Sequence, residues 1–405
     1  MRIPRSLILA IDTAIVAGTN ALVLIVSARI LRSDSLTSLT MAQLLVVTAV
    51  GLQRATILTP AFASQRAAGR SVVPMRWALL VSVPLSLAWS AVMPFMTPSF
   101  DLNYFLLFSI SFAVCLPILV QDLLRFCLFT RLRPTSALVS DATFLVVFCL
   151  AVWALLLRDE TSWTSLFAAW GASAAAASAI ALCLVLVAGR SLEEVQAAKL
   201  RDVLRLGKWS GSDAALSGAA NLLPMVVSTL ALGSPAAAIY RVLQTANGPF
   251  NILSATFLTS AGMDAWKLAS PDEVKGLRVR AIKQTFVLTI IACVFYALAY
   301  PVILLLAGLE GEEAARVAII LGFSGVLGAA TIPINAAASA MGYQRVGFFV
   351  RVVVVVSAIG VSALALWGAW IPWNDPVGVV ALISSVAGLV GWTLGYERGY
   401  RRENL

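Results

Sequence analysis

Runs of about 20 apolar residues follow one another along the whole chain, and each is long enough to cross a bilayer as a helix. That feature leaves little room for another fold. A large soluble helical bundle needs a charged face on its helices, and soluble globular chains are roughly a quarter charged. Here only 12% of residues are charged and 60% are hydrophobic. The chain is expected to be an all-α polytopic membrane protein with almost no soluble part.

Twelve spans are expected, at 6–31, 37–61, 73–97, 102–129, 135–157, 164–189, 209–232, 236–262, 281–308, 314–341, 346–370 and 376–396. Arg2 and Arg5 precede the first run as basic residues precede a signal peptide. The run is too long for one and lacks a cleavage motif, so it reads as a retained first span. With the N-terminus cytoplasmic, 23 Lys and Arg residues fall on the inner side and only Arg29, Arg32, Arg158 and Arg316 on the outer. That bias predicts cytoplasmic termini. It also assigns the net charge of +9 to a membrane surface, with no need of nucleic acid as a partner. Trp77, Trp209 and Trp266 fall near the inner interface, and Trp153, Trp163, Trp370 and Trp373 near the outer one.

Several chemistries are excluded. Histidine is absent, so no Ser-His-Asp or Cys-His arrangement and no histidine metal site can form. Cys115, Cys127, Cys149, Cys183 and Cys293 all lie inside expected spans without CxxC spacing, and read as small apolar residues. No metal or other cofactor is expected.

The two halves repeat. Residues 12–52 slide onto 213–253 without a gap, and ten positions match. Shared Ala, Leu, Val and Ser are cheap in such a composition; the coincidences Asp12/Asp213, Asn20/Asn221 and Gln43/Gln244 are not. Each half holds six spans, an even number, so the halves enter the membrane in the same orientation. Parallel repeats of this kind place a pseudo-two-fold axis along the membrane normal, with a cavity between the halves. The expected organisation is a six-helix bundle over 1–189, a cytoplasmic amphipathic linker over 190–208, and a second six-helix bundle over 209–405. In the linker, Leu192, Val195, Leu200, Val203 and Leu206 make an apolar stripe among charges. A second helix start is read at "SPDE", with Ser270 as N-cap and Pro271 at the first helical position.

Six charges lie well inside spans: Asp12, Arg54, Asp122, Asp141, Asp213 and Arg241. Each calls for a partner, a water-filled cavity or a ligand. Asp122 and Arg125 are three apart and can pair on one helix. Asp12 and Arg54 lie at similar depth in adjacent spans, about 9 Å from the inner side, so they can form a packing salt bridge. Asp12, with its repeat mate Asp213, is a candidate either for ion coupling or for structural pairing. Arg241 differs in depth from Asp213 by about 20 Å and has Thr40 as its repeat counterpart. A guanidinium without a carboxylate suits a phosphate, which it binds bidentately; the other outcome is snorkelling to the outer headgroups. Gln244, three residues on, shares the face of Arg241, and Asn247 lies further round. Pro224, Pro249 and Pro333 fall inside spans and are candidate hinges.

Twelve spans in two parallel halves, cytoplasmic termini and an amphipathic inter-half helix resemble one superfamily, the multidrug/toxin extruders together with the Wzx-type polysaccharide flippases. The stretch "SARILRSDSLTSLTMAQLLVVTAVGLQRATILTPAFA" resembles the first-to-second-span region of the flippases. Where that family usually has a Gly-containing turn, this chain has Arg32-Ser33-Asp34-Ser35. "GSPAAAIYRVLQTANGPFNILSATFLT" resembles the family's eighth span. The resemblance implies a MATE-like fold and transport of an undecaprenyl-pyrophosphate-linked oligosaccharide to the outer leaflet of a bacterial cytoplasmic membrane. It places Arg54 and Arg241 in spans that carry cavity arginines. The implied partners are that lipid-linked substrate, membrane lipids, a coupling proton or sodium ion and other polysaccharide-assembly proteins. A cation-coupled multidrug extruder shares the architecture, and Asp12 would serve it as a proton or sodium site. A membrane enzyme of polysaccharide assembly fits less well, because "RDETSW" and "GLEGEEAAR" are short for a catalytic outer loop. A purely structural subunit would leave the intramembrane charges without a role.

Overall fold

The computed structural model describes residues 5–58, 75–96, 103–130, 134–189, 200–232, 234–248, 250, 271–307, 311–340, 344–366, 382–383, 385–391 and 393. These residues are nearly all helical and contain no strand. In chain order the helices are α1 (Arg5–Ile30), α2 (Ser33–Gln53), α3 (Met75–Met96), α4 (Tyr104–Thr130), α5 (Pro134–Leu157) and α6 (Trp163–Gly189). They continue with α7 (Leu200–Leu232), α8 (Ser234–Gln244), α9 (Pro271–Ala307), α10 (Glu312–Ala340) and α11 (Gln344–Leu366). Among the described residues, six helical stretches are long and apolar enough to cross a membrane.

The first six helices fall where the apolar runs placed them. Three later elements differ. Helix α7 starts at Leu200, so the end of the expected linker runs unbroken into the seventh span. Helix α9 likewise starts at Pro271 and carries its charged first turns into the ninth span. The eighth span is not one helix from 236 to 262: α8 ends at Gln244 and a 3-10 turn follows, Thr245–Asn247. Pro249 has no N–H to return to the carbonyl at 245, and the backbone tightens just before it. Pro249 itself, linker residues 190–199, Ser270 and most of the twelfth span lie outside the described residues.

Two compact units divide the chain, Met1–Ala215 and Leu216–Leu405. In the first, α2 packs against α3, α4 and α6, and α5 packs against α1 and α6. Helix α2 buries Thr37, Ser38, Thr40, Gln43 and Gln53 as well as its apolar residues. Its hydroxyls are satisfied within the helix: Ser38 donates to the Asp34 carbonyl at 3.1 Å, Thr40 to Thr37 at 2.9 Å and Thr48 to Leu44 at 2.8 Å. Such back-bonding lets these hydroxyls sit among packed helices with an acceptor. Helices α4 and α6 approach closely at Gly171, where a Cβ would lie 2.8 Å from the Val114 Cα. Small residues permit that approach between membrane helices.

In the second unit α9 packs along α10, and α8 rests on both. The α9 side of this core is Leu288, Ala292, Tyr296 and Tyr300, four residues apart; Val317, Ala318 and Leu321 of α10 and Tyr240 and Leu243 of α8 complete it. The opposite face of α9 exposes Phe286, Ile290, Val294, Leu298, Val302 and Leu305. A stripe of that size would be unfavourable in water and is at home against lipid tails.

Candidate functional site

Five charged side chains converge in the first unit, from α1, the end of α2, α4 and α5. Arg54 reaches α4 and grips Asp122 with both ends of its fork: Nε donates to Oδ2 at 2.8 Å, and Nη2 bonds Oδ1. Arg125, one turn further along α4, turns to α1 and α5. Its Nε donates to Asp12 Oδ2 at 3.0 Å and its Nη2 bonds the same oxygen. Its Nε also lies 2.8 Å from Asp141 Oδ2, as an ion pair. Gln121 holds the other oxygen of Asp141, donating from Nε2 at 2.7 Å. The expected Asp12–Arg54 pair does not form. Depth allowed it, but the rotation of each helix about its axis gives Asp12 to Arg125 and Arg54 to Asp122. The expected Asp122–Arg125 contact is present as a looser pair, at 4.0 Å.

Three carboxylates therefore face two guanidiniums. Asp12, Asp122, Asp141 and Arg125 are all buried. Low dielectric makes each attraction strong, and makes the loss of Arg125, the buried cation that the carboxylates share, costly. Arg54 stands apart, because it opens a π-helical segment, Arg54–Leu58, that continues α2. Such segments often occur at functional sites. The Ala55 carbonyl accepts a bond from Ser210 Oγ of α7 at 2.8 Å, and Thr56 Oγ1 donates back to Leu52 at 2.7 Å. The Arg54 guanidinium also lies 5.5 Å from the centre of the Phe126 ring.

Arg241 sits in the second unit under different conditions. No carboxylate pairs with it among the described residues. Its Nη1 donates to Gln244 Oε1 at 2.9 Å, and Gln244 Nε2 donates to the Tyr240 hydroxyl at 2.8 Å. Its Nε is buried and has no acceptor among the described residues. Two turns of backbone on, Asn247 accepts the Tyr296 hydroxyl at its Oδ1, at 2.6 Å. Tyr296 is fixed by its surroundings: its ring lies 5.1 Å from that of Phe250 and 5.3 Å from that of Tyr300. Gly325 of α10 leaves room for its hydroxyl end, where a Cβ would stand 2.7 Å from the Tyr296 oxygen.

The remaining sequence candidates scatter. Asp213 is half-buried on α7. Helix α7 continues through position 224, whose side chain lies outside the described set, and Pro333 lies inside an unbroken α10. Sequence reasoning paired Asp122 with Arg125 and named Asp141 as an intramembrane charge, without joining the three into a site. Their depth was the available signal: Arg125 is five residues from the end of α4 and Asp141 seven from the start of α5, the inner-side depth already assigned to Asp12 and Arg54. No comparable signal marked Tyr240 or Tyr296.

No protein-family model and no curated protein sequence matches the chain. Solved structures do. A MOP superfamily transporter from Pyrococcus furiosus, described by a binding pocket of reverse polarity that suggests a different function, matches with TM-score 0.73 at 14% identity, over 97% of this chain and 95% of its own. An inward-facing multidrug resistance MATE family transporter matches with TM-score 0.68 at 13% identity, over 99% of both chains. An outward-facing one matches with TM-score 0.69 at 14% identity, over 98% and 96%. The chain thus has the fold of MATE family transporters of the MOP superfamily, a membrane-protein fold built from spanning helices.

Proposed function

We propose that the chain is an alternating-access transporter that flips an undecaprenyl-pyrophosphate-linked oligosaccharide across the bacterial cytoplasmic membrane for cell-surface polysaccharide assembly, with both termini in the cytoplasm. Arg241 carries the reading. A guanidinium inside a span without a carboxylate costs free energy that an anionic ligand would offset, and a pyrophosphate takes it bidentately. The acceptor oxygens of Gln244 and Asn247 are occupied by Arg241 and Tyr296. These amides have N–H donors left to offer, which suits an acceptor-rich phosphate or sugar. Neighbours of the same fold in inward- and outward-facing states support alternating access. Membrane lipids and polysaccharide-assembly proteins are the proposed partners, and transport rather than catalysis is the proposed activity.

A second reading is a cation-coupled multidrug extruder of the same fold. The observation behind it is the surplus carboxylate in the first unit, where Asp12 and Asp141 meet one shared cation and a proton or sodium ion is a natural complement. The two readings separate in proteoliposomes. Under the flippase reading, Arg241→Ala abolishes transfer of a pyrophosphate-linked oligosaccharide lipid, and Arg241→Lys, which keeps the charge but loses the fork, retains part of it. Undiminished transfer by Arg241→Ala, or ethidium efflux in its place, would move the assignment to the extruder.

A further inference from the structure

We propose that Asp122 is a built-in competitor for the substrate's phosphate: Arg54 is an exchangeable arm that leaves Asp122 for the phosphoryl oxygens of the ligand. The inference rests on the anionic-substrate reading above and adds to it a regulated contact within the first unit. Exposure separates the partners. The Arg54 side chain is 38% exposed and that of Asp122 only 4%, whereas Arg125 and Asp12 are 6% and 0%. Arg54 is therefore the one cation of the network that a ligand can reach without dismantling it.

Removing a partner from a buried ion pair is normally prohibitive because the other charge is stranded. Asp122 escapes that fate. Arg125 Nη1 already stands 4.0 Å from Asp122 Oδ1, on the same helix, so the carboxylate keeps a cation when Arg54 departs. In the same cluster Arg125 also holds Asp12 of α1 and Asp141 of α5, and Gln121 of α4 donates to Asp141; α6 has no charged residue, and α7 offers the Ser210 hydroxyl to the π-helical turn. A phosphate outcompetes a single carboxylate because it brings more charge and still matches the planar fork. A weakly charged anion does not. Asp122 thus sets a threshold that the ligand must exceed, and the chemistry selected is a pyrophosphate, as a lipid headgroup or as the free ion.

The test uses the full chain in phosphatidylcholine nanodiscs, titrated calorimetrically with farnesyl pyrophosphate and separately with inorganic pyrophosphate. Asp122→Asn is expected to bind about tenfold tighter than the wild type, a gain of about 1.4 kcal/mol, because it no longer holds Arg54. The gain should vanish in the double variant with Arg54→Ala. Tightening with both probes assigns the site to the phosphate group from either source; tightening with the farnesyl probe alone assigns it to the lipid headgroup. Unchanged or weaker binding by folded Asp122→Asn overturns the exchange. Absence of binding of either probe to the wild type overturns the anionic-substrate reading itself, a different result. Should Asp122→Asn fail to fold, thermal melting of two other variants decides. Arg54→Ala is expected to melt close to the wild type because Arg125 still covers Asp122. If it collapses as Arg125→Ala does, the exchange is overturned.

Discussion

Arg125 in the first unit touches carboxylates from two other helices, whereas Arg241 in the second is held, among the described residues, by a glutamine amide. Both stand in halves related by a sequence repeat, yet the matched residues are used differently. Asp12 is fully buried against a guanidinium, while Asp213 is half-buried on α7. Gln43 donates to the Asn20 carbonyl at 3.4 Å, while Gln244 bridges an arginine and a tyrosine. Thr40, which occupies the position of Arg241, turns its hydroxyl onto its own helix. Among the described residues, the first half closes its intramembrane charges on each other, and in the second Arg241 has no carboxylate partner. A buried charge that is matched by the protein stabilises a packing arrangement, and one that is unmatched points outward to a ligand.

The contrast breaks first at Arg125. Arg125→Ala strands Asp12 and Asp141 together, at a cost of about 3–5 kcal/mol. Loss of monodisperse protein on size exclusion in detergent is the expected result, and wild-type melting would mean that the cluster does not hold the unit. Next comes Gly325→Ala, which places a methyl group against the Tyr296 hydroxyl. Overpacking of this kind costs about 1–3 kcal/mol, against about 1 kcal/mol for the single hydrogen bond lost in Tyr296→Phe. Differential scanning fluorimetry should rank them in that order, and equal effects would mean that Tyr296 has space to move. The smallest change, with the opposite sign, is expected for Arg241→Met. Replacing a half-buried cation that has no carboxylate partner among the described residues with an apolar side chain of similar length is expected to be neutral or stabilising. Its melting temperature should equal or exceed that of the wild type. A drop like that of Arg125→Ala would show that Arg241 is matched after all, and the two units would no longer differ.

Most of the helices could be read from the sequence because a bilayer dictates their length and leaves their composition few choices. The first span was expected at 6–31 and runs Arg5–Ile30. The helix start read at Pro271 is the first residue of α9. Breaks were harder. Pro249 reads as a candidate hinge, but the 3-10 turn before it is not legible, because a few hydrogen bonds decide it. The π-helical turn at Arg54 left no mark in residue type. Partner choice among the charges was the least legible part. Counting residues gives depth along a helix axis to within a turn. It gives no rotation about that axis relative to another helix, and rotation decides whether Asp12 meets Arg54 or Arg125.

The lipid-facing stripe of α9 is also a ruler. From Phe286 to Leu306 the helix rises about 30 Å, the hydrocarbon thickness of a typical bilayer. Arg280 and Lys283 are exposed just before it, at headgroup level, and beyond its far end Glu312 and Arg316 pair at 2.8 Å. Charges therefore bracket a length that fits with little tilt. In shorter-chain lipids the same stripe must lean or push a turn of aliphatic side chains into the headgroups, at a fraction of a kcal/mol for each ångström of mismatch. Hydrophobic thickness thus acts on the helix that carries Tyr296, and acyl-chain length becomes a variable to hold fixed whenever this protein is assayed in a bilayer.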